Sequence, residues 1–368
     1  MTTTEVAVPF VDLQRLHSDL REPLERVWRS VLGHGRFVGG PEVARFESAF
    51  AHYCGVGYCA AVGNGTDALE LTLAGLGIGP GDEVIVPTNT FVATAEAVCA
   101  VGATPRFVDV LPDTLLMDPA AAAAAVGPST AAIIAVHLFG QMADVMALSA
   151  LADRHGLVLI EDAAQAHGAK FAGRRAGSWG AAGTFSFYPG KNLGALGDGG
   201  AVVSDNADLI NRIRQLANHG RSELDRHAHV VVGRNSRLDT LQAAVLLAKL
   251  PGLDDANSSR AAVMGRYRAG LPSWCVPVVV HPEARSVYHL GVVAVPDRAA
   301  VTRLLDAEGI GWGIHYPVAC HRQPAFAAYG SEPLPVAEAA AEQILSLPLF
   351  PTMGAHLVDR VCEVLARV

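Results

Sequence analysis

Lys191 is the residue in this chain whose setting most invites a chemical reading. It lies in TFSFYPGKNLGALGDGGAVVS, residues 184–204, after an apolar run that ends at Tyr188-Pro189-Gly190, and glycine follows at 194, 197, 199 and 200. A solvated surface lysine needs no such freedom from bulk. A lysine that condenses with a flat aldehyde does, and its amine can then also carry protons. The glycines are therefore expected to clear room for a planar ligand.

A second group is suited to an anion. In AAVGNGTDALELTLAGLG, Gly63, Asn64, Gly65 and Thr66 follow an apolar run and head a helical one. The first amides of a helix are unpaired and carry partial positive charge, which suits a phosphate. Gly65 permits close backbone approach, and Thr66 offers a hydroxyl. The same residues also fit an ordinary strand–helix turn with Thr66 as the N-cap. No Gly-Lys-Ser/Thr follows, so this is not a Walker loop, and the spaced-glycine dinucleotide fingerprint is absent. That absence counts against an NAD-linked oxidoreductase. Ser186, five residues before Lys191, either joins the phosphate or satisfies a local backbone group.

A third group can tune a heterocycle. LIEDAAQAHGA ends a buried run with Glu161-Asp162, at the strand end where α/β sheets bind ligands. A buried Asp162 needs a cation or strong donors. A protonated pyridine nitrogen would serve, and so would the first amides of a following turn. Gln165 can reach a ring hydroxyl or be a surface amide. Phe91, in PTNTFVATAEAV, can stack on a planar ring or be core. Together, a phosphate-ready turn, a stacking aromatic, a strand-end acid and a glycine-flanked lysine are the parts a pyridoxal 5′-phosphate site requires.

The elements that must position these residues are legible as alternation. Apolar runs at 58–62, 83–87, 104–110, 131–137 and 157–162 read as buried strands, with helical spacing at 66–77, 91–101, 118–126 and 144–155 between them. Such alternation predicts an α/β fold with a mostly parallel sheet between helices. Residues 168–177 read as a reversing turn, 182–187 and 200–203 as further strands, and 206–217 and 237–249 as helices. After the Pro-Gly break at 250–255 come a helix at 256–270, a strand at 287–295 and a helix near 298–307. This divides the chain into a large unit, 1–250, and a smaller C-terminal α/β unit, 251–368, against which the N-terminal segment can also pack.

Composition narrows the classes. In 368 residues, 51% are hydrophobic and 17% charged, which supports a sizeable core and argues against disorder. A formal charge of −8 lacks the basic excess of a general nucleic-acid binder. The six cysteines form no Cys-x-x-Cys pair and no zinc-like spacing with histidine, so no metal site is expected and reduced thiols are. MTTTEVAVPF carries no basic patch followed by an apolar run, and no stretch approaches the ~20 apolar residues of a membrane span. The expectation is a cytoplasmic protein with no membrane partner.

GNGTDAL, GDEVIVPTNTFVATAEAV, EDAAQAHGA, FSFYPGKNLGALGDGGAVVS, RNSRLDTLQAA and HYP resemble the DegT/DnrJ/EryC1/StrS family of sugar aminotransferases over about residues 8–350. The resemblance implies a fold-type-I pyridoxal-phosphate transferase, a homodimer with shared active sites. It implies that Lys191 forms the imine and Asp162 pairs the ring nitrogen. Gln165 would contact the ring hydroxyl, Phe91 would stack, and Gly65, Thr66 and Ser186 would hold the phosphate. Asn235 resembles the asparagine that reaches the neighbouring subunit's phosphate; a helix N-cap role before 237–249 fits it as well. Tyr188, His315 and Tyr316 match positions facing the sugar, although each is also a packing residue type. Dehydratases in the family carry histidine in place of the lysine, so Lys191 favours amino transfer. Relatives often carry a Lys-Tyr-His run where this chain reads Arg226-His227-Ala228-His229, and the 221–234 loop is expected to border the substrate.

The opening VPFVDLQRLHSDLREPLERVW and GRFVGGPEVARFE resemble members acting on dTDP-3-keto-6-deoxyhexoses. L-glutamate is the expected amino donor and a nucleotide-linked keto sugar the acceptor. A 4-keto sugar nucleotide is the alternative substrate. A non-catalytic, pyridoxal-phosphate-binding regulator is the alternative from another class; the chain has no added helix-turn-helix or basic arm to support it.

Overall fold

The computed structural model describes residues 8–18, 20–222, 224–225, 227–330 and 332–368. The reading of residues 1–7 as free of a targeting signal, and Arg226 of the 226–229 run, lie outside the described residues.

Short runs of Val, Ile and Ala with both faces covered build the centre, because a parallel strand must bury both its faces. The strands are β1 (Tyr58–Val62), β2 (Glu83–Pro87), β3 (Thr104–Val108), β4 (Thr130–Val136) and β5 (Val158–Asp162). A small hairpin, β6 (Lys170–Phe171) and β7 (Arg174–Arg175), precedes β8 (Ala182–Ser186) and β9 (Gly200–Ser204). The central sheet runs β1-β9-β8-β5-β4-β2-β3. β3, β2, β4, β5 and β8 are parallel, whereas β9 pairs antiparallel with both β8 and β1. The sheet is mostly parallel and mixed, as the alternation predicts.

Boundaries moved where caps or pairing intervened. The helix expected over 66–77 is Gly65–Gly75, because Asn64 and not Thr66 is its N-cap: the Asn64 side chain accepts from Asp67 N at 2.8 Å. The helix expected over 237–249 is Thr240–Lys249. Residues before it stay extended because Asp239 bridges to Val38 and Thr240 N donates to Phe37 O at 3.0 Å. Asn235 is therefore not that helix's cap. The reversing region at 168–177 is the β6–β7 hairpin, turned by Ala172 and Gly173 at φ 44° and 84°.

A C-terminal layer follows. The strands β10 (Val276–Pro277), β11 (Ala284–Arg285), β12 (Gly291–Ala294) and β13 (Ile344–Leu347) come in that order. β11 adds to the β6–β7 hairpin, while β10, β12 and β13 form a separate antiparallel sheet. Helices Leu253–Gly270 and Ala355–Leu365 cover it, burying Tyr267, Val293, Leu305 and Phe350 in one cluster. Val8 joins that cluster by bridging to Ile310, which sets Phe10 beside His315. Only 291–294 of the strand expected at 287–295 is a strand. The preceding residues instead bond to the 139–140 turn, with Val287 N on Gly140 O at 2.8 Å, and this delivers His289 to the cleft. All six cysteines are free thiols, and no helix among the described residues is long and apolar enough to cross a membrane.

The two carboxylates that end β5 have separate tasks. Glu161 is fully buried; it accepts from His137 Nε2 at 2.9 Å and from the amides of Gly177, Trp179 and Gly180 at 2.8, 2.7 and 2.9 Å. Burial alone would push its pKa up, but His137 and those amides outweigh burial and hold it below the ordinary value. Glu161 thus ties the 177–180 turn to the sheet. Glu161→Ala is expected to lose about 3 kcal/mol in urea unfolding at pH 7, because it strands those donors. A depressed folded pKa contributes stability above the unfolded value and loses it as pH falls through the folded one. The parent–variant gap is therefore expected to narrow below pH 4.5. Equal stability at pH 7 would contradict this role.

Candidate active site

The carboxyl ends of β4 and β5, the heads of two helices and the 186–191 turn enclose a cleft of about 750 Å³. It lies at the sheet edge where ligands of α/β folds sit. Every site residue singled out in the sequence lines it except Asn235. Asn235 is exposed and bridges to Asn218. No described residue of the 221–234 loop lines the cleft within one chain.

At one end, Asn64 caps the helix of Gly65 and leaves the first amides without intrahelical partners. A Cβ on Gly65 would fall 2.6 Å from the Ser186 Cβ, so only glycine lets the turn and the end of β8 meet. Ser186 and the helix head therefore line one corner. From behind, Ser236 Oγ donates to Asp67 Oδ2 at 2.6 Å and accepts from Gly63 N at 3.0 Å. Arg234 pairs with Glu70 on the same helix. Sequence reading missed this brace because its partners are more than 160 positions apart.

The glycines after Lys191 serve another purpose than the one expected. Added Cβ atoms at 194, 199 and 200 would meet Pro189 O at 2.4 Å, Leu238 Cδ1 at 2.8 Å and Asn64 O at 2.2 Å. They let the lysine loop pack on itself and on the helix-head turn, so they clear space for backbone and core rather than for a ligand.

Asp162 is 6% exposed at the cleft floor. Its Oδ2 accepts from Thr94 Oγ1 at 2.8 Å and its Oδ1 from Ala164 N at 3.2 Å. Thr94 spends its one proton on Asp162, so it accepts from Thr90 Oγ1 at 2.8 Å. The turn-capping and cleft-facing readings of Asp162 thus hold together. Gln165 is fixed: Oε1 accepts from Phe139 N at 2.8 Å, and Nε2 donates to the Tyr316 hydroxyl at 3.2 Å. One Nε2 proton remains to donate. Phe91 is half exposed, 5.6 Å from the Tyr316 ring. Tyr188 is exposed at the mouth. Burial pushes the Tyr316 phenol pKa up, so it stays protonated.

Lys191 follows a turn closed by its N–H on Tyr188 O at 2.8 Å. Burial lowers its pKa to about 8, against the opposing pull of Asp162. The surrounding histidines stay neutral. Burial, then Lys191, takes His315 to about 4 and His167 to about 3. For His289 the hydrogen bonds fix the tautomer. Asn192 Nδ2 donates to Asn257 Oδ1 at 2.8 Å and to Val287 O at 3.0 Å, so Asn192 Oδ1 faces His289 Nδ1 at 3.1 Å and that nitrogen carries the proton. Asn257 is oriented in turn by donating to His167 O at 2.9 Å. His315 Nδ1 meets Ser346 Oγ at 2.9 Å, which leaves Nε2 free. Thr94, Asn192, Asn257 and His289 were missed in the sequence; each is a common residue type whose role exists only through partners distant in the chain.

The arrangement offers an amine near its free-base form, a fixed carboxylate across the cleft, one spare amide donor and an anion-ready helix head. These suit a group with an aldehyde, a protonatable ring nitrogen, a hydroxyl and a phosphate.

The comparisons agree with that chemistry. The chain belongs to the DegT/DnrJ/EryC1/StrS aminotransferase family, whose pattern matches residues 19–366. It is 48% identical over 363 residues, 97% of this chain and 98% of the other, to the erythromycin biosynthesis sensory transduction protein EryC1 of Saccharopolyspora erythraea. It is 46% identical over 372 residues, 98% of this chain and 97% of the other, to the dTDP-3-amino-3,4,6-trideoxy-alpha-D-glucose transaminase of Streptomyces venezuelae. The crystal structure of S. venezuelae DesV in complex with a ketimine intermediate superposes with a TM-score of 0.96 at 45% identity, covering 99% of this chain and 98% of that one. The protein is an aminotransferase of the α/β, fold-type-I architecture expected.

The lowered lysine pKa gives a test without substrate. In cofactor-free protein, reductive methylation of Lys191 by formaldehyde and cyanoborohydride, read by mass spectrometry, is expected to rise with pH through a midpoint near 8. Because the charge of Asp162 raises that value, Asp162→Asn is expected to move the midpoint lower. A midpoint near 10.5 would show a solvated lysine.

Proposed function

We propose that the protein uses pyridoxal 5′-phosphate to transfer an amino group from L-glutamate to a dTDP-linked 3-keto-6-deoxyhexose, as a step in amino-sugar biosynthesis. The observation that carries the reading is Lys191 and Asp162 facing one cleft, with the Asp162 charge opposing the loss of the Lys191 proton, beside a helix head that only glycine lets close.

In this reading Gly65 and Thr66 amides, the Thr66 hydroxyl and Ser186 hold the phosphate. Asp162, aligned by Thr94, keeps a proton on the ring nitrogen. Gln165 donates its spare proton to the ring hydroxyl, and Phe91 packs on the ring face. When bound, the cofactor supplies an aldehyde that condenses with amines and a conjugated ring that accepts charge from the substrate carbon. Lys191 would hold that aldehyde through its amine and, once displaced by the incoming amine, would move a proton at its Nζ to and from the substrate carbon. General acid–base help of this kind is typically worth ~100- to 10,000-fold. A pKa of about 8 suits it, because an amine poised near neutrality both accepts and returns a proton. Tyr188, Tyr316 and the free Nε2 of His315 face the sugar.

The protein works as a homodimer in this reading, with the exposed Asn235 of one copy completing the phosphate site of the other. Two things support the sugar: the relative named for a dTDP-3-amino sugar, and the likeness of the opening segments to members acting on dTDP-3-keto sugars.

Purified protein is expected to show a yellow absorbance band that L-glutamate bleaches. Among dTDP-3-keto and dTDP-4-keto sugars, mass spectrometry is expected to find the aminated product from a 3-keto sugar. Lys191→Ala is expected to lose at least about 1,000-fold in rate. Turnover of that variant near the parent rate would remove Lys191 from the chemistry, and amination of only 4-keto sugars would overturn the substrate.

A further inference from the structure

One cation in the cleft has no anion to match it. Arg260, on the helix Leu253–Gly270, is 3% exposed and lines the same cleft as Lys191. Its hydrogen bonds go to two backbone carbonyls, Leu349 O at 3.1 Å and Tyr288 O at 3.5 Å, both through Nη1. A guanidinium has five donors in a planar fork, so most of Arg260's capacity is unspent. No carboxylate among the described residues offsets its burial, and burial lowers its pKa to about 10, which still leaves it charged at neutral pH. Buried charges are ordinarily paired.

Two carboxylates line the cleft, and neither forms an ion pair with Arg260: Asp198 is exposed, and Asp162 is engaged elsewhere. Arg260 and Lys191 both act on His289, which burial, followed by these two cations, holds well below its ordinary pKa. His289 spends its Nδ1 proton on Asn192, and His315 is neutral. Asp162, the carboxylate acting on Lys191, is already taken by Thr94 and Ala164 N. The Arg260 side of the cleft is therefore positive, enclosed and short of an acceptor. An α-amino acid that exchanges its amine at Lys191 must place a carboxylate one carbon away from that amine. An arginine fork is the side chain best matched to a carboxylate.

We propose that Arg260 anchors the α-carboxylate of the amino donor. The assignment rests on the amino-transfer reading above and gives its donor half-reaction a fixed point outside the phosphate corner. It also gives the 253–270 helix a place in the site: Asn257 orients the loop beside Lys191, and Arg260, three residues on, holds the incoming acid.

The test uses holoenzyme, as parent, Arg260→Lys and Arg260→Gln, with thermal unfolding to confirm that each variant folds. The donor half-reaction is followed by loss of the yellow band with L-glutamate, with L-glutamine, which lacks the side-chain carboxylate, and with L-isoglutamine, which lacks the α-carboxylate. Binding is read separately from the spectral shift with α-methyl-L-glutamate, which has no transferable Cα proton. Both variants are expected to bind α-methyl-L-glutamate about 10- to 100-fold more weakly and to lose a similar factor with L-glutamate and L-glutamine. Neither is expected to lose further on L-isoglutamine, and the keto-sugar half-reaction is expected to stay within about two-fold.

Equal losses on L-glutamate and L-isoglutamine would mean that Arg260 only supports the fold, and unchanged binding of α-methyl-L-glutamate would remove it from the site. A loss confined to the keto-sugar half-reaction would assign it to the sugar nucleotide's phosphates and overturn the proposal. If L-glutamate is inert but another α-amino acid exchanges in an Arg260-dependent way, the donor identity falls and the anchor stands. If no α-amino acid exchanges, both fall.

Discussion

A half-buried primary amine held in one cleft with the Asp162 carboxylate is the constraint on which the rest of this molecule turns. Removing Lys191 from solvent favours its neutral form, and Asp162 limits how far that goes. The balance point near 8 is the useful one, because such an amine can attack, accept a proton and return it at neutral pH. Holding this balance requires both groups to be fixed. Asp162 is fixed by the end of β5, by Thr94 and by Ala164 N; Lys191 is fixed by a loop whose glycines let it press against Pro189, Leu238 and the helix-head turn.

The fold supplies that precision from rigid parts. Five parallel strands end at one edge, and the helix after β1 points its unpaired amides into the same space. The C-terminal layer then closes the cleft with residues the central sheet cannot supply. Asn257 and Arg260 come from one helix, His289 from the segment before β12 and His315 from the loop held by Ser346. The Asn192–Asn257 hydrogen bond joins the two layers one residue from Lys191. The site therefore depends on how the layers meet, and not on either alone.

The strands were legible because burying both faces of a parallel strand leaves unbroken Val/Ile/Ala runs, as in β2; β2 has the expected limits, and so does β1, an edge strand paired antiparallel with β9. The helix of Gly65 was legible from its turn chemistry, though Thr66 is not its cap: the helix starts one residue earlier, where the Asn64 side chain accepts from the Asp67 amide. Lys191 and Asp162 stood out because their types are unusual for their settings; Gln165 and Ser186, ordinary types taken alone, stood out only through their place beside these two and through the family resemblance. The glycines after Lys191 stood out too, for a reason that only packing reveals. Arg260 and Asn192 left no local signal: an arginine within a helix looks solvated until the layer above it is in place. Asn235, exposed in one chain, depends on a second copy for any role in the site, which no local pattern specifies.

The most direct measurement is the protonation of the cofactor ring in the assembled enzyme. Holoenzyme reconstituted with pyridoxal phosphate labelled with ¹⁵N in the ring reports that state by its nitrogen chemical shift. The account predicts a ring nitrogen that stays protonated from neutral to mildly alkaline pH, because the proposed function pairs it with the Asp162 carboxylate. A nitrogen that reads as unprotonated at neutral pH would contradict it, because the carboxylate at the end of β5 would then be facing something else.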